Sequence, residues 1–230
     1  MAKLFMVATP IGNLQDLSPR AQEVLAQADL ILAEDTRHTR QLLEALNIKG
    51  KNLLSYHQHS TEKQVENIKN LLLEGQNLAL VSDAGTPGIN DPGNLLLADL
   101  LASEIDLEII PIPGPSALTA LLSVAAVDIN PFTYLGFLPH KKGRETLFKM
   151  MAEQPDHNFV FLDNPHRLLK NLEKMIIFVG EKRPLLIGRE ITKQFETFYR
   201  GTITEAYQKF IEDKNHEKGE VIVLLGKLKK

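Results

Sequence analysis

Along the chain, short apolar runs alternate with longer stretches in which apolar residues recur at helical spacing. Parallel strands joined by amphipathic crossover helices produce this pattern. It predicts strands near Leu4–Ala8, Leu30–Ala33, Asn77–Ser82 and Leu107–Ile112, and helices near Ser18–Gln27, Thr36–Leu46, Thr61–Leu73 and Pro92–Ser103. Leu53–Tyr56 reads as a further short strand, and Pro115–Val124 as a helix leading away from this first sheet. Beyond it, apolar runs at Phe132–Leu138, Asn158–Leu162, Pro184–Ile187 and Val221–Leu225 are separated by helices over Gly143–Ala152, Pro165–Met175 and Thr204–Glu212. Phe195–Tyr199, just before Arg200 and Gly201, reads as a hairpin edge, which makes the second sheet mixed. The expected fold is α/β in two domains, 1–117 with a mostly parallel sheet and 118–230 with a mixed one, packed with a cleft between them.

Composition narrows the functional classes. The 230 residues suffice for two small cores. With 26 basic against 29 acidic residues the net charge is −3, so the chain has no overall attraction for polyanions, and any nucleic-acid contact must use local patches. There are no cysteines, which excludes disulfides, thiolate metal sites and cysteine nucleophiles. The opening MAKLFMVATP fits a first strand better than a signal peptide. No apolar stretch approaches the roughly 20 residues needed to span a bilayer. A cytoplasmic protein without a membrane partner is expected.

The densest signal is SDAGTPGINDPG, Ser82 to Gly93, placed after the run LALV, where open α/β sheets bind ligands. Its glycines permit close approach to the main chain, and Asp91 followed by Pro92 reads as a helix cap with proline at the first helical position. The loop holds two carboxylates and no lysine or arginine, which disfavours a Walker-type phosphate cradle and suits hydroxyls or a cationic centre. A second loop, PIPGPSA at Pro111 to Ala117, also ends an apolar run and opens a helix, so Ser116 and free amides are candidates to bind a carboxylate or hydroxyl. Taken alone, the loop is better explained as a plain chain turn. The opening ATPIGNL lacks the G-x-G-x-x-G of a dinucleotide site, which argues against an oxidoreductase.

In AEDTRHTRQLL, Asp35 caps a helix whose first turns carry Arg37, His38 and Arg40, the two arginines on a common face. A capped, solvated helix accounts for the cap but not for arginines at the end of the helix that repels them, and that misfit points to an anionic partner. Tyr56, His57 and His59 make a poor metal signature, and no metal is expected. In DNPHRLL, Asp163 and Pro165 read as a cap that places His166 and Arg167 in the first helical turn. HKKGRETLFK, with Lys141, Lys142 and Arg144, is the most basic short segment, either a solvated face or a contact with a phosphate backbone.

Taken together, ATPIGNL, EDTRHTRQLL, SDAGTPGINDPG, PIPGPSA, GFLP at Gly136 to Pro139, PHR at Pro165 to Arg167 and REITK at Arg189 to Lys193 resemble the tetrapyrrole methylase family, in its ribosomal RNA-methylating branch. The resemblance runs in order over nearly the whole chain. It implies a methyl donor, S-adenosylmethionine, in the cleft between two α/β domains. It also implies a homodimer, and 2′-O-methylation of a cytidine in the decoding region of 16S rRNA within the small ribosomal subunit. Carried over, Pro10 and Ile11 line the donor pocket, Asp83, Ala84, Gly85 and Thr86 lie beside its methionine and ribose parts, and Ser116 and Ala117 close it. Leu162 and the backbone around Gly188 and Arg189 meet the adenosine. Arg37, Arg40 and Arg167, with the Lys141, Lys142, Arg144 cluster, are the candidates for holding RNA.

Two departures from the family pattern stand out. DNPHR replaces the usual ESPHR, which removes the Glu-Ser pair from any acid-base role, and the sequence ends at GKLKK where relatives commonly continue, which implies weaker RNA affinity or a different substrate. Methyl transfer to a ribose hydroxyl needs in-line alignment and a group to accept the proton. Glu34, Asp35, His38 and His166 are the candidates, and the chemistry requires no metal. A tetrapyrrole or other small-molecule acceptor, or a ribosome-binding factor without turnover, are the rival readings of the same fold.

Overall fold

The computed structural model describes residues 1–103, 105–213 and 217–228. The chain divides into two compact units, Met1–Ser116 and Ala117–Lys230.

The first unit runs β1 (Ala2–Val7), α1 (Pro19–Gln27), β2 (Leu30–Ala33), α2 (Thr36–Ala45), β3 (Asn52–Ser55), α3 (Glu62–Leu73), β4 (Leu78–Val81), α4 (Gly93–Leu101) and β5 (Leu107–Ile112). Its sheet has the order β3-β2-β4-β1-β5, and every pairing is parallel. Both faces are covered, which is why β4 reads as the unbroken apolar run LALV, buried at each position. Alternate side chains divide between two cores. Leu78, Leu80, Leu32 and Leu4 pack with Ile68, Leu72, Leu96 and Leu100 of α3 and α4. Ala79, Val81, Ile31 and Val7 pack with Ala21, Leu25 and Leu43 of α1 and α2.

Local chemistry explains where these helices begin. The Ser18 side chain accepts from the Ala21 N–H ahead of Pro19. Thr61 and Gln64 form a reciprocal capping box that starts α3.

The strand order sets the functional geometry. From β2 the chain moves outward to β3, whereas from the neighbouring β4 it moves the opposite way, past β1 to β5. The carboxyl ends of β2 and β4 therefore flank a topological switch point, where open α/β sheets bind ligands.

The second unit contains α5 (Ala117–Ser123), β6 (Phe132–Phe137), α6 (Arg144–Glu153), β7 (Asn158–Asp163), α7 (Pro165–Val179), β8 (Pro184–Arg189), β9 (Thr197–Thr202), α8 (Ile203–Glu212) and β10 (Val221–Leu225). The sheet order is β6-β7-β10-β8-β9, with β6 parallel to β7 and the remaining pairs antiparallel, so the sheet is mixed as expected.

In this unit two elements differ most from the expectation. The edge strand extends through Arg200 and Gly201, which pair with Leu186 and Leu185. No turn intervenes, because Thr202 and Glu205 form a capping box that starts α8 at once. Helix α7 continues past Met175 through Ile176 to Val179 and stops at Gly180, whose φ is +103° and whose N–H donates to Met175 O at 3.2 Å.

Arg183, buried within this unit, donates to the backbone oxygens of Gly226 at 2.8 Å, of Met151 and of His157, tying α6 to the strands. Burial lowers its pKa to about 10, which leaves it charged. Among the described residues no helix is long and apolar enough to cross a membrane.

Candidate active site

At the carboxyl edge of the first sheet, three loops are knitted together by hydrogen bonds. Thr9 N–H donates to Gly85 O at 2.9 Å and Gly85 N–H donates back to Thr9 O at 3.1 Å, an isolated antiparallel bridge between the loops after β1 and β4. Beneath it, Thr9 Oγ1 donates to Ser82 O at 3.1 Å and Ser82 Oγ to Gly85 O at 3.2 Å; both side chains are buried. Thr86 Oγ1 donates to Pro115 O at 3.3 Å, which joins the loop after β5. Gly114 packs so closely on the end of β1 that an added Cβ would lie 3.0 Å from Ala8 Cβ. The loops therefore converge, and they bring Pro10, Ile11, Asp83, Ala84, Gly85, Thr86 and Ser116 to one edge of the unit, with Asp83 and Ala84 exposed on it.

Asp91 differs from its expected role. Helix α4 begins at Gly93 rather than at Pro92, and Asp91 Oδ1 accepts from the N–H groups of both Gly88 at 2.8 Å and Gly93 at 2.9 Å. The carboxylate folds the loop back on itself as well as capping the helix.

Across the switch point, the Asp35 N–H donates to Asp83 Oδ1 at 3.0 Å, so the end of β2 is tied to the end of β4. His38 Nδ1 lies 3.7 Å from Asp83 Oδ2. Glu34 is half-buried beside them. Burial first, and the charge of Asp83 second, raise its pKa above the ordinary carboxylate value.

Asp35 is a different case. Its Oδ1 accepts from Arg37 Nε at 3.1 Å and from the Arg37 backbone N–H at 2.8 Å, and its Oδ2 from Arg37 Nη2 at 2.6 Å. The guanidinium first, and that backbone bond second, hold its carboxyl far below the usual carboxylate range. Arg37 is exposed but held by this fork, whereas Arg40 is exposed with no side-chain partner among the described residues.

In the second unit, one row of strand partners crosses the sheet. Phe137 pairs with Leu162, Leu162 with Ile222, Ile222 with Gly188, and Gly188 with Phe198. Leu162 and Gly188 thus flank a common residue. The reason for the glycine is packing, because an added Cβ at Gly188 would lie 2.7 Å from Ile191 Cδ1 and 2.8 Å from Leu121 Cδ1. Arg189 is almost buried, with Nη1 on Asp213 Oδ2 at 2.7 Å and its Nε without a partner among the described residues.

Asp163 is not the cap of α7. That role belongs to Asn164, whose side chain accepts from the His166 N–H at 2.9 Å. Asp163 is 2% exposed and accepts from Asn171 Nδ2 at 2.9 and 2.7 Å and from the Asn164 N–H at 2.8 Å; burial raises its pKa. Nearby, Arg167 has Nε and Nη1 buried without partners among the described residues. His166 is exposed, with Nδ1 3.8 Å from Glu217 Oε2. Lys141 and Lys142 are exposed just before α6, and Arg144 opens it.

The bonds made by Thr9, Ser82 and Asn171 escaped sequence reading, although Thr9 and Ser82 stand in motifs that it singled out. Asn171 alone left a trace, as a polar residue on the apolar face of α7 between Leu168, Leu172 and Met175.

Comparison with known proteins agrees with this architecture. The family model of Tetrapyrrole (Corrin/Porphyrin) Methylases matches residues 3–207. The chain is similar to Ribosomal RNA small subunit methyltransferase I of Escherichia coli O157:H7, 42% identical over 224 residues, which are 97% of this chain and 77% of that protein. With the protein of the same name from Thermotoga maritima it shares 42% identity over 226 residues, 98% of this chain and 99% of that one. Among solved structures it resembles the methyltransferase CobJ, with a TM-score of 0.71, 19% identity, and 99% of this chain and 95% of that one covered. It also resembles a diphthine synthase, with a TM-score of 0.72, 12% identity, and 98% and 90% covered.

Proposed function

Because the chain belongs to the tetrapyrrole methylase family, we propose that it moves the methyl group of S-adenosylmethionine to the 2′-hydroxyl of a cytidine in the decoding region of 16S ribosomal RNA. The observation that carries this reading is the switch-point edge, where Asp83 is exposed on a loop closed by the Thr9–Gly85 bridge and Glu34 stands beside it with a raised pKa.

The donor carries a sulfonium and an amino group, both cationic, and two ribose hydroxyls. An edge that presents a carboxylate and carries no lysine or arginine in the Ser82–Gly93 loop fits such a molecule. When bound, the donor supplies an activated methyl group. In this reading Asp83 and the backbone of Ala84, Gly85 and Thr86 hold its polar parts, while Pro10, Ile11, Ser116 and Ala117 exclude water. Leu162 and the Gly188–Arg189 backbone remain assigned to adenosine.

The acceptor oxygen must lose its proton as the carbon–oxygen bond forms and the carbon–sulfur bond breaks. Glu34 takes that proton. A carboxylate with a pKa raised towards the working pH is a better proton acceptor than one held far below it, such as Asp35. His38 orients Asp83 and is the second group in reach of the same edge. Arg40, Arg37, Arg167 and the Lys141, Lys142, Arg144 cluster hold RNA phosphates.

Labelled methyl incorporation into intact small subunits and into free 16S rRNA, followed by nucleoside analysis for 2′-O-methylcytidine, tests the reading. Subunits are expected to be methylated far better than free transcript, since a chain of net charge −3 binds naked RNA weakly. A base-methylated product, or equal turnover of a tetrapyrrole, would overturn the acceptor while leaving the donor edge in place. A folded chain that binds subunits without any transfer would make it a binding factor. The homodimer expected from the family belongs to the same proposal, and sedimentation of the free protein as a monomer would refute it.

A further inference from the structure

Away from the loop bridge, the first unit carries an open groove of about 430 Å³ between the chain leaving β3 and the outer faces of α3 and α4. That volume falls within the range of roughly 300–1,000 Å³ seen for small-molecule sites. Three carboxylates line it, Glu62, Glu66 and Asp99, against one lysine, Lys69, which is already 3.9 Å from Glu66.

Its inner wall is Tyr56, only 5% exposed. The Tyr56 backbone N–H is used by Ala33 O at 2.8 Å, but its hydroxyl has no hydrogen-bond partner among the described residues. The ring is buried while the residue lines the groove, so this free oxygen is open to a ligand group that enters it. Burial, with the charges of Asp99 and Asp91, raises the phenol's pKa and keeps it neutral, able to accept from an N–H. Pro92 and Leu95 add apolar wall.

The chemistry of an occupant follows from these groups. A phosphate or carboxylate would meet net negative charge. Among the described residues no three acidic or histidine side chains are grouped to hold a metal ion, so the carboxylates are too dispersed to converge on one cation. Dispersed carboxylates beside apolar wall and an aromatic hydroxyl match amino groups spaced along a methylene chain.

We propose that this groove binds a small aliphatic polyamine, with ammonium groups on Asp99, Glu66 and Glu62, one of them shared with Tyr56 Oη, and the alkyl chain against Leu95 and Pro92. The site does not depend on the methyl-transfer reading.

Calorimetric titration of the full chain with spermidine at constant ionic strength tests it. Saturable binding of one molecule per chain is expected. The paired Glu66→Gln, Asp99→Asn variant should bind about tenfold or more weakly and Tyr56→Phe about threefold or more weakly, from the loss of charge-assisted and neutral hydrogen bonds respectively. Glu66 and Asp99 are exposed, so these variants should fold and melt as the parent does. Non-saturating heat, equal affinity in the paired variant, or displacement by magnesium at equal charge would each overturn the proposal.

Discussion

Replacing Gly85 probes the donor edge at its most constrained point. Its φ is +84°, in the left-handed region. A side chain with a Cβ is strained there by about 1–2 kcal/mol whatever the space around it. The space itself is ordinary: an added Cβ would sit 3.5 Å from Ile11 Cγ2 and 3.7 Å from Pro115 O. Gly85→Ala should therefore lose only the conformational part, a fall in Tm of roughly 2–4 °C for each kcal/mol. Gly85→Val adds two methyl groups that must press on Ile11 or Pro115, a further overpacking cost of about 1–3 kcal/mol. The strain acts on the two bonds between Thr9 and Gly85, at 2.9 and 3.1 Å, which hold Pro10 and Ile11 against the segment carrying Asp83. Donor affinity should consequently fall about tenfold or more in the valine variant, the equivalent of one lost hydrogen bond of ordinary strength, and less in the alanine variant. Thermal unfolding and calorimetric titration with the demethylated donor read the two effects separately. A folded Gly85→Val protein with unchanged affinity would remove this loop from the donor site, and unchanged Tm in both variants would refute the strain argument.

Glu34→Gln should abolish most methyl transfer and yet not destabilise the protein at neutral pH. A carboxyl whose folded-state pKa is raised contributes stability that is fully present below its unfolded value and is lost as pH rises through the folded value, so the parent loses ground to the variant between acid and neutral pH. Urea midpoints at about pH 3.5 and pH 7, either side of the ordinary carboxylate range, check the sign, and a variant that loses ground at pH 7 would contradict it. For RNA, Arg40→Ala and the paired Lys141→Ala, Lys142→Ala change should lower the salt slope of subunit binding by about 0.7–0.9 per charge removed. Arg37→Ala should lower it by less, because Asp35 already holds that guanidinium. Donor affinity should hardly move in any of these, and a uniform loss of donor binding would place the basic residues in the donor pocket instead.

What the sequence revealed here is what short-range chemistry decides. The cap at Asp35 and the helix starts near Ser18 and Thr61 depend on N–H groups two or three residues away, and in the structure all three side chains act as caps. β2, β5 and β10 begin and end where their apolar runs do. Asp163 was misread because its partners are distant. Its strand neighbour Val221 lies on β10 and its side-chain partner Asn171 on α7, and only that packing converts an apparent cap into a buried carboxylate. The reason position 188 is a glycine was not legible either, since only packing brings Ile191 and Leu121 to where a Cβ would lie. Asp35 and Glu34 are adjacent in sequence and could not be told apart there. Arg37 separates them, since it folds back onto one carboxylate and leaves the other beside Asp83.

The same separation bears on how an acidic chain handles a polyanion. In the proposed function the donor edge carries negative charge for a cationic cosubstrate, and that charge would repel the phosphates of the acceptor. Helix α2 starts at this edge and carries both signs within its first turns. Its N-terminal end disfavours arginine, so Arg37 and Arg40 are not there to stabilise the helix. Arg37 neutralises Asp35 at the point where β2 ends, which lowers the local repulsion without removing Glu34 or Asp83. Arg40, about one turn further on and without a partner among the described residues, would on the proposed reading be the first cation an approaching phosphate meets. On the proposed reading, cationic relief placed beside a carboxylate base, rather than a basic surface over the whole chain, would let the net charge stay at −3 while one stretch of RNA backbone is tolerated near the ribose.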